Sequence, residues 1–192
     1  MRDPTQRRVV PLRTGMRRNI LSVKRRRIQS IHIQNVTVSG IQARTEINTR
    51  ADNSCSGINF WLNELTGQKC SVAPFSASYE PMSDIQIKTC LTSFTDEDGS
   101  TWILVFNEVL WFGSNMDNSL VNPNQIRMTG TLVSDDPFDT TRRLGIHHKY
   151  AFIPFMIDGT TVYFDTHVPT DSERAQCTWI TMTGDTEWYR HW

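Results

Sequence analysis

Short stretches rich in β-branched residues, separated by turn residues, follow one another from residue 28 almost to the end of the chain. In residues 28–38, isoleucines and valines partly alternate with polar residues before a turn at Ser39-Gly40. Alternation with a period of two is typical of a strand with one buried face. Further strands are predicted at residues 42–47, 58–65, 69–75, 85–95 and 101–112. Such a succession of strands predicts a mainly β fold.

Turn and cap residues predict how these strands are joined. Thr66-Gly67-Gln68 and the polar run at residues 96–100 are both predicted to be hairpin connections, as is Asp158-Gly159 in the C-terminal part. Asn122 followed by Pro123 predicts the start of one short helix, which Gly130 would end. A second short helix is predicted to begin at Thr170, before a strand at residues 178–183.

Composition divides the 192 residues into four parts. We predict a basic disordered arm at residues 1–27, a β domain at 28–133, a linker at 134–145 and a small β/α appendage at 146–192. The linker is predicted from Asp135, Asp136, Pro137 and Asp139, which are typical of an exposed segment. The last part is too short to hold much core of its own, and the aromatic terminus suggests a fragment of a longer polyprotein.

Charge is sharply divided although the net charge is zero. Residues 1–27 hold ten Lys or Arg against one acid, a net charge of +9, and the remainder carries −9. Three interpretations of the arm stay open: a solvated tail, a contact for nucleic-acid phosphates, and a nuclear localisation signal. Its nucleic-acid-binding candidates are Arg17, Arg18, Lys24, Arg25, Arg26 and Arg27. The chain lacks a membrane-length apolar run and the apolar core of a secretory signal, which predicts a cytoplasmic or nuclear protein without membrane contact.

The cysteines at 55, 70, 90 and 177 form no C-x-x-C pair, which favours reduced thiols. His147, His148, Cys177 and His191 offer suitable zinc-ligand chemistry, but their spacing matches no compact zinc motif. We therefore predict no metal site and no cofactor.

The segment Glu46-Ile47-Asn48-Thr49-Arg50-Ala51-Asp52 carries the main functional signal. It resembles the active-site loop of retroviral-type aspartic proteases, in which an apolar strand end precedes Asp, Ser or Thr, and Gly. Ile47 and Thr49 fit that pattern. Asn48 stands where the catalytic Asp is expected, and Arg50 where a glycine free to take positive φ is expected.

A second resemblance lies downstream. Residues 102–112 and the segment Ser119-Leu-Val-Asn-Pro-Asn-Gln-Ile-Arg127 are similar to a strand and a strand-to-helix turn in copia-type LTR retrotransposon polyproteins, where a protease precedes a pre-integrase region. This resemblance covers about residues 43–192. It implies a retropepsin-like closed β-barrel-type domain with one short helix, a homodimer, and a polyprotein or peptide substrate if the enzyme is active.

The same resemblance implies that the protein is inactive. Each subunit of such a dimer supplies one Asp, so Asn48 removes both carboxylates. Asp52 is implied to give structural support, not a replacement carboxylate. The hairpin at Asp98-Gly99 is either a plain surface hairpin, which we favour, or the flap that the resemblance implies. Residues 73–84 are a second candidate for that flap. Two alternatives remain: a non-catalytic dimeric β module with a nucleic-acid-binding arm, and an unrelated β-rich protein in which the region of Asn48 is a buried strand.

Overall fold

The computed structural model describes residues 40–74, 76 and 78–184. The basic arm, the predicted strand at 28–38 and His191 lie outside these residues. Twelve strands are seen in the described part: β1 Gln42–Ile47, β2 Cys55–Ser56, β3 Trp61–Val72, β4 Met82–Thr95, β5 Thr101–Trp111, β6 Ser119–Val121, β7 Leu132–Ser134, β8 Gly145–His147, β9 Phe152–Pro154, β10 Met156–Asp158, β11 Thr161–His167 and β12 Thr178–Thr181. The helices are α1 Pro123–Arg127, α2 Asp171–Gln176 and a 3-10 turn at Gly113–Asn115.

The prediction of a mainly β protein with few helices is confirmed. Nine strands form one mixed sheet in the order β10-β11-β1-β6-β2-β5-β4-β3, with β12 paired to β5. A further pairing of His167 with Ser93 joins β11 to β4, so the path of paired strands from β11 through to β4 returns to β11. Strands β7, β8 and β9 form a separate antiparallel sheet.

The main core joins the two sheets. Its buried members include Val133, Ile146 and Ile153 from the three-stranded sheet. From the large sheet they include Leu104, Phe106, Val109, Val121, Phe164 and Ile180. A smaller cluster of Cys55, Val72 and Leu110 lies apart from this core, with Cys70, Ile85 and Ile87 packed against it. The end of the β3–β4 hairpin at which the two strands are connected therefore packs over β2.

The hairpin predicted at Thr66-Gly67-Gln68 is wrong. Strand β3 runs through these residues and pairs with β4 on both sides, from Trp61↔Leu91 to Val72↔Met82. The register shifts between Leu65 and Lys69, so the three residues form an irregularity within one strand. Gly67 accommodates it with a φ of 76°. The connection to β4 lies at residues 73–81.

The two other predicted hairpin turns and both predicted helix starts are confirmed. Antiparallel pairs flank the turns at residues 96–100 and at Asp158-Gly159. Helix α1 starts after Asn122, whose Oδ1 accepts a hydrogen bond from the Asn124 backbone N–H at 2.8 Å. Helix α2 starts with a capping box between Thr170 and Glu173. No helix in the described part of the chain has the length and apolar character needed to cross a membrane.

The predicted division at residues 134–145 stays a prediction, but strands pair across it. Strand β7, which ends at the first residue of the segment, pairs with β8, which begins at its last residue. Strand β11 lies between β1 and β10 in the large sheet. Asp135 within the segment is held by Arg127 at 2.6 Å. Residues on either side of the segment therefore share sheets and core.

Candidate functional site

The candidate site is the loop of residues 48–54, which leaves the end of β1. Ile47 is the last residue of β1 and pairs with Val121 of the parallel strand β6. The Asn48 backbone N–H continues this pairing and donates to the Val121 carbonyl at 2.9 Å. Asn48 therefore stands at a strand end, in the place that the sequence predicts, and its region is a loop and not a buried strand.

The Asn48 side chain shapes the first turn of the loop. Its Oδ1 accepts a hydrogen bond from the Arg50 backbone N–H at 2.9 Å, the geometry of an Asx turn. Asn48 is half-buried, whereas Thr49 and Arg50 are exposed. The turn therefore presents polar side chains to solvent at the end of a packed strand.

Arg50 takes the turn without the backbone geometry that favours glycine. Asp84 and Glu108 are the non-glycine residues with positive φ in the described part of the chain. The expected glycine at position 50 is thus not needed for the backbone conformation seen here. The arginine at this position adds a long cationic side chain to the exposed part of the loop.

Helix α1 holds the second half of the loop through Asn122. The Asn122 Nδ2 donates to the carbonyl of Ala51 at 2.6 Å and to that of Asp52 at 3.2 Å. The Asn122 backbone N–H donates to Ser54 Oγ at 3.0 Å. The sequence identified Asn122 as a helix cap, and this second role was missed.

Gln125, in the first turn of α1, completes the attachment of the loop to the helix. Its Oε1 accepts hydrogen bonds from the backbone N–H of Ser54 at 2.8 Å and from Ser54 Oγ at 2.6 Å. Ser54, Asn122 and Gln125 are all buried. Sequence patterns assigned no role to Gln125, because the contact joins residues 71 positions apart. Two amide side chains at the start of a short helix were the available signal.

The structure assigns no further chemical role to the remaining residues predicted for the loop. Asp52 is half-buried, and its carbonyl is held by Asn122. Its supporting role stays a prediction, as does the assignment of a catalytic position to Asn48, Thr49 and Arg50. The arm residues Arg17, Arg18, Lys24, Arg25, Arg26 and Arg27 lie outside the described residues, so their nucleic-acid contact is untested.

The loop offers an amide where proton transfer would require a carboxylate. The Asn48 side chain has one acceptor oxygen and two donor hydrogens, and it does not titrate near neutral pH. Its oxygen already accepts from Arg50. The side chain at position 48 is therefore suited to hydrogen bonding and not to proton transfer.

Of the residues considered for zinc, His191 lies outside the described residues, and the other three make separate contacts. His147 Nε2 lies 2.8 Å from the Arg143 carbonyl, His148 packs on Tyr150, and Cys177 ends α2. Among the described residues, no three His, Cys, Asp or Glu side chains form a group able to hold a metal ion. Burial lowers the pKa of His148, with Lys149 adding to the effect.

All four cysteines are free thiols. Burial raises the pKa of Cys55 to about 12, and Cys70 adds to this. Burial also raises the pKa of Cys90 to about 12, against opposing effects of Ser56 and Lys88. These two thiols are core residues and are unsuited to nucleophilic chemistry near neutral pH.

The comparisons with known proteins add no relative to this picture. No protein-family model, curated protein or solved structure matches the chain.

Proposed function

We propose that this chain is an aspartic-endopeptidase-like segment of a copia-type LTR retrotransposon polyprotein, and that Asn48 leaves it without peptidase activity. The observation that carries the proposal is the placement of Asn48. It directly follows a strand, beside the end of the parallel strand β6. Its loop is held by a hydrogen bond from Asn122, the cap of helix α1. A loop supported in this way suits a side chain that must be held in one orientation.

The expected loss of activity follows from the chemistry of the dyad. Two closely spaced aspartates share one proton, and the ionised member takes a proton from the attacking water. General acid-base catalysis is commonly worth about 10²- to 10⁴-fold in rate. In a homodimer that uses residue 48 of each subunit, one substitution removes both carboxylates. The loss should then exceed that range.

The rest of the proposal concerns the assembly around the loop. We take the sheet to be a retropepsin-like closed barrel and the active form to be a homodimer that binds an extended peptide. The β3–β4 hairpin packs through Val72 and Ile85 on the cluster containing Cys55, just after the loop. Residues 73–84 and the hairpin at 96–100 both stay candidates for the flap that closes over a peptide.

Restoring the carboxylate tests the proposal. The parent chain, Asn48→Asp and the double variant Asn48→Asp, Arg50→Gly are assayed with a library of short peptides between about pH 4 and 7, where a shared-proton dyad operates. We expect an inert parent and a restored variant that cleaves and is inhibited by pepstatin. Asn53→Asp is the matched control, because it makes the same amide-to-acid change in the same loop and should stay inert.

Two results would count against the proposal. Cleavage by the parent chain would show that Asn48 does not disable it. Inert restored variants that keep the fold, measured by far-UV circular dichroism and thermal unfolding, would remove the protease interpretation and favour a binding module.

The charge division supports a second candidate, a non-catalytic dimeric β module that retains nucleic acid through its arm. A segment of charge +9 attached to a body of charge −9 suits phosphate contact by the arm alone. Changing Arg17, Arg18 and residues 24–27 to Gln should then abolish RNA or DNA retention and flatten its dependence on salt. If the arm variant binds as tightly as the parent, this candidate fails.

A further inference from the structure

We infer that Asn122 and Gln125 are positioning residues, which fix the backbone of the 48–54 loop and thereby the orientation of the side chain at position 48. The inference deepens the proposed function and, in its catalytic consequence, depends on it. Its structural part, that the side chains of Asn122 and Gln125 fix the second half of the loop, stands on the hydrogen bonds alone.

Between β1 and β2 the loop bonds to strands only at its two ends, where the Asn48 N–H donates to Val121 and the Ser54 carbonyl accepts from Leu110. The backbone groups between these ends must be satisfied in another way. The carbonyls of Ala51 and Asp52 and the N–H of Ser54 are bonded by the side chains of Asn122 and Gln125. Ala51 and Ser54 are buried, so water is a poor substitute. Loss of either amide would leave buried polar groups without partners, so the loop should open more readily in such a variant.

Both ends of the loop are tied to one short piece of chain. The Val121 carbonyl holds the Asn48 N–H, and the next residue, Asn122, holds Ala51 and Asp52. Asn122 is itself fixed, because its Oδ1 caps α1 and its backbone N–H donates to Ser54 Oγ. The end of β6 and the first turn of α1 therefore act as one clamp on the loop.

The clamp does not depend on the identity of residue 48. The Asn48 side chain bonds to the Arg50 N–H through its oxygen, and an aspartate carries an oxygen in the same position. The carboxylate introduced by Asn48→Asp would thus enter a turn that is already formed. Misplacement of a catalytic group by about 1 Å can cost on the order of 10²-fold in rate, so clamp residues should affect turnover without touching substrate.

Two variants break the clamp, and one leaves it intact. Asn122→Asp keeps the helix cap but replaces the Nδ2 donor with an oxygen that faces two carbonyls. Gln125→Met removes the acceptor for Ser54 at similar length. Asn124→Asp is the matched control, because it makes the same chemical change on an exposed residue of the same helix that bonds Arg127 and not the loop.

The first readout is amide hydrogen exchange of residues 49–54 in the full chain, with residues 102–106 of β5, which make no bond to the loop, as an internal report of global stability. We expect each clamp variant to speed exchange in the loop by about tenfold or more while β5 changes less, and Asn124→Asp to match the parent. Loop exchange that stays at the parent rate, or that rises only in step with β5, would overturn the inference. If Asn122→Asp does not fold, Gln125→Met decides the matter.

The second readout is kinetic, in the Asn48→Asp background. A clamp variant should lower kcat by about tenfold or more with little change in KM, because the side chain at 48 is misaligned and peptide binding is retained. A fall in kcat/KM that results only from a higher KM, with kcat unchanged, would overturn the positioning role. An inert Asn48→Asp parent counts against the proposed function, whereas the exchange result still decides whether the clamp exists.

Discussion

At the scale of single residues, the side chain of Asn59 links several strands of the large sheet. It is fully buried, and its Nδ2 donates to Thr45 Oγ1 at 3.0 Å and to Thr166 Oγ1 at 2.7 Å. Its Oδ1 accepts from Ser119 Oγ at 2.6 Å. One amide thus joins β1, β6 and β11, the strands that lead to and flank the candidate loop.

Replacing this amide should destabilise the whole fold. We expect Asn59→Ala to lower the free energy of unfolding by about 2–4 kcal/mol, because several buried hydroxyls lose their partner and a cavity remains. Urea unfolding followed by tryptophan fluorescence measures the change. Asn63→Ala, on an exposed position of β3, is the matched control and should lie within about 0.5 kcal/mol of the parent. An Asn59→Ala protein as stable as this control would show that the network contributes little.

The contrast between Asn122 and Asn59 shows how far residue roles can be predicted from sequence. The cap role of Asn122 depends on its immediate neighbours, so the Asn-Pro pair predicted it. Its hold on Ala51, and the contacts of Asn59 with Thr45 and Thr166, join residues 14 to 107 positions apart. Such contacts exist only once the sheet has formed. A buried Asn in a strand-rich sequence looks like any turn residue.

At the scale of elements, helix α2 illustrates a local structure held by charge. His167 Nε2 lies 2.8 Å from Glu173 Oε1, and Glu173 Oε2 accepts from the Thr170 backbone N–H at 2.7 Å. Burial acts to raise the pKa of Glu173, but the hydrogen bonds from Thr170 and His167 outweigh it, and the pKa is lowered from 4.5. The helix is therefore attached to the end of β11 most strongly when Glu173 is ionised.

This lowered pKa predicts a pH-dependent contribution to stability. A carboxyl group with a lower pKa in the folded state stabilises the fold above its unfolded pKa, here 4.5, and loses that contribution as the pH falls through the folded pKa. Gln can keep the capping box but not the charge. Glu173→Gln should thus cost about 0.5–1.5 kcal/mol at pH 7 and less than that at about pH 3.

Unfolding by urea at the two pH values measures this difference. Glu64→Gln, on an exposed position of β3, removes the same charge and is the matched control. An equal cost of Glu173→Gln at both pH values would mean that lost packing, and not ionisation, explains it.

Element prediction succeeded where the signal was local and failed where a partner strand decided the outcome. The capping residues at 122 and 170 and the turn at 96–100 each carry their own signal, and all three are found. Thr66-Gly67-Gln68 also looks like a turn. However, Thr66 Oγ1 donates to the Ile87 carbonyl and β4 continues alongside, so the strand keeps its direction through an irregularity. Only the partner strand distinguishes these two cases.

At the scale of the whole molecule, the chain order and the sheet order differ strongly. Strand β1, near the start of the described residues, lies between β11 and β6. The core likewise mixes Phe60 and Phe94 with Phe155, Phe164 and Met182. Sequence predicted the mainly β class, because alternation is local. It did not reveal that β11 pairs with β1, since pairing of strands so far apart along the chain leaves no local pattern.

This interleaving predicts that residues 1–145 will not fold by themselves. A chain ending at residue 145 loses β11, which pairs with five residues of β1, and also the buried side chains of Phe164 and Ile180. Exposing that much apolar surface should exceed the few kcal/mol by which domains are commonly stable. We expect no cooperative thermal transition in near-UV circular dichroism. A chain ending at residue 184, which keeps all the described residues, is the control and should unfold cooperatively. If the chain ending at 145 also unfolds cooperatively, then the division near residues 134–145 marks a self-sufficient domain, and β11 only adds to a sheet that is already stable.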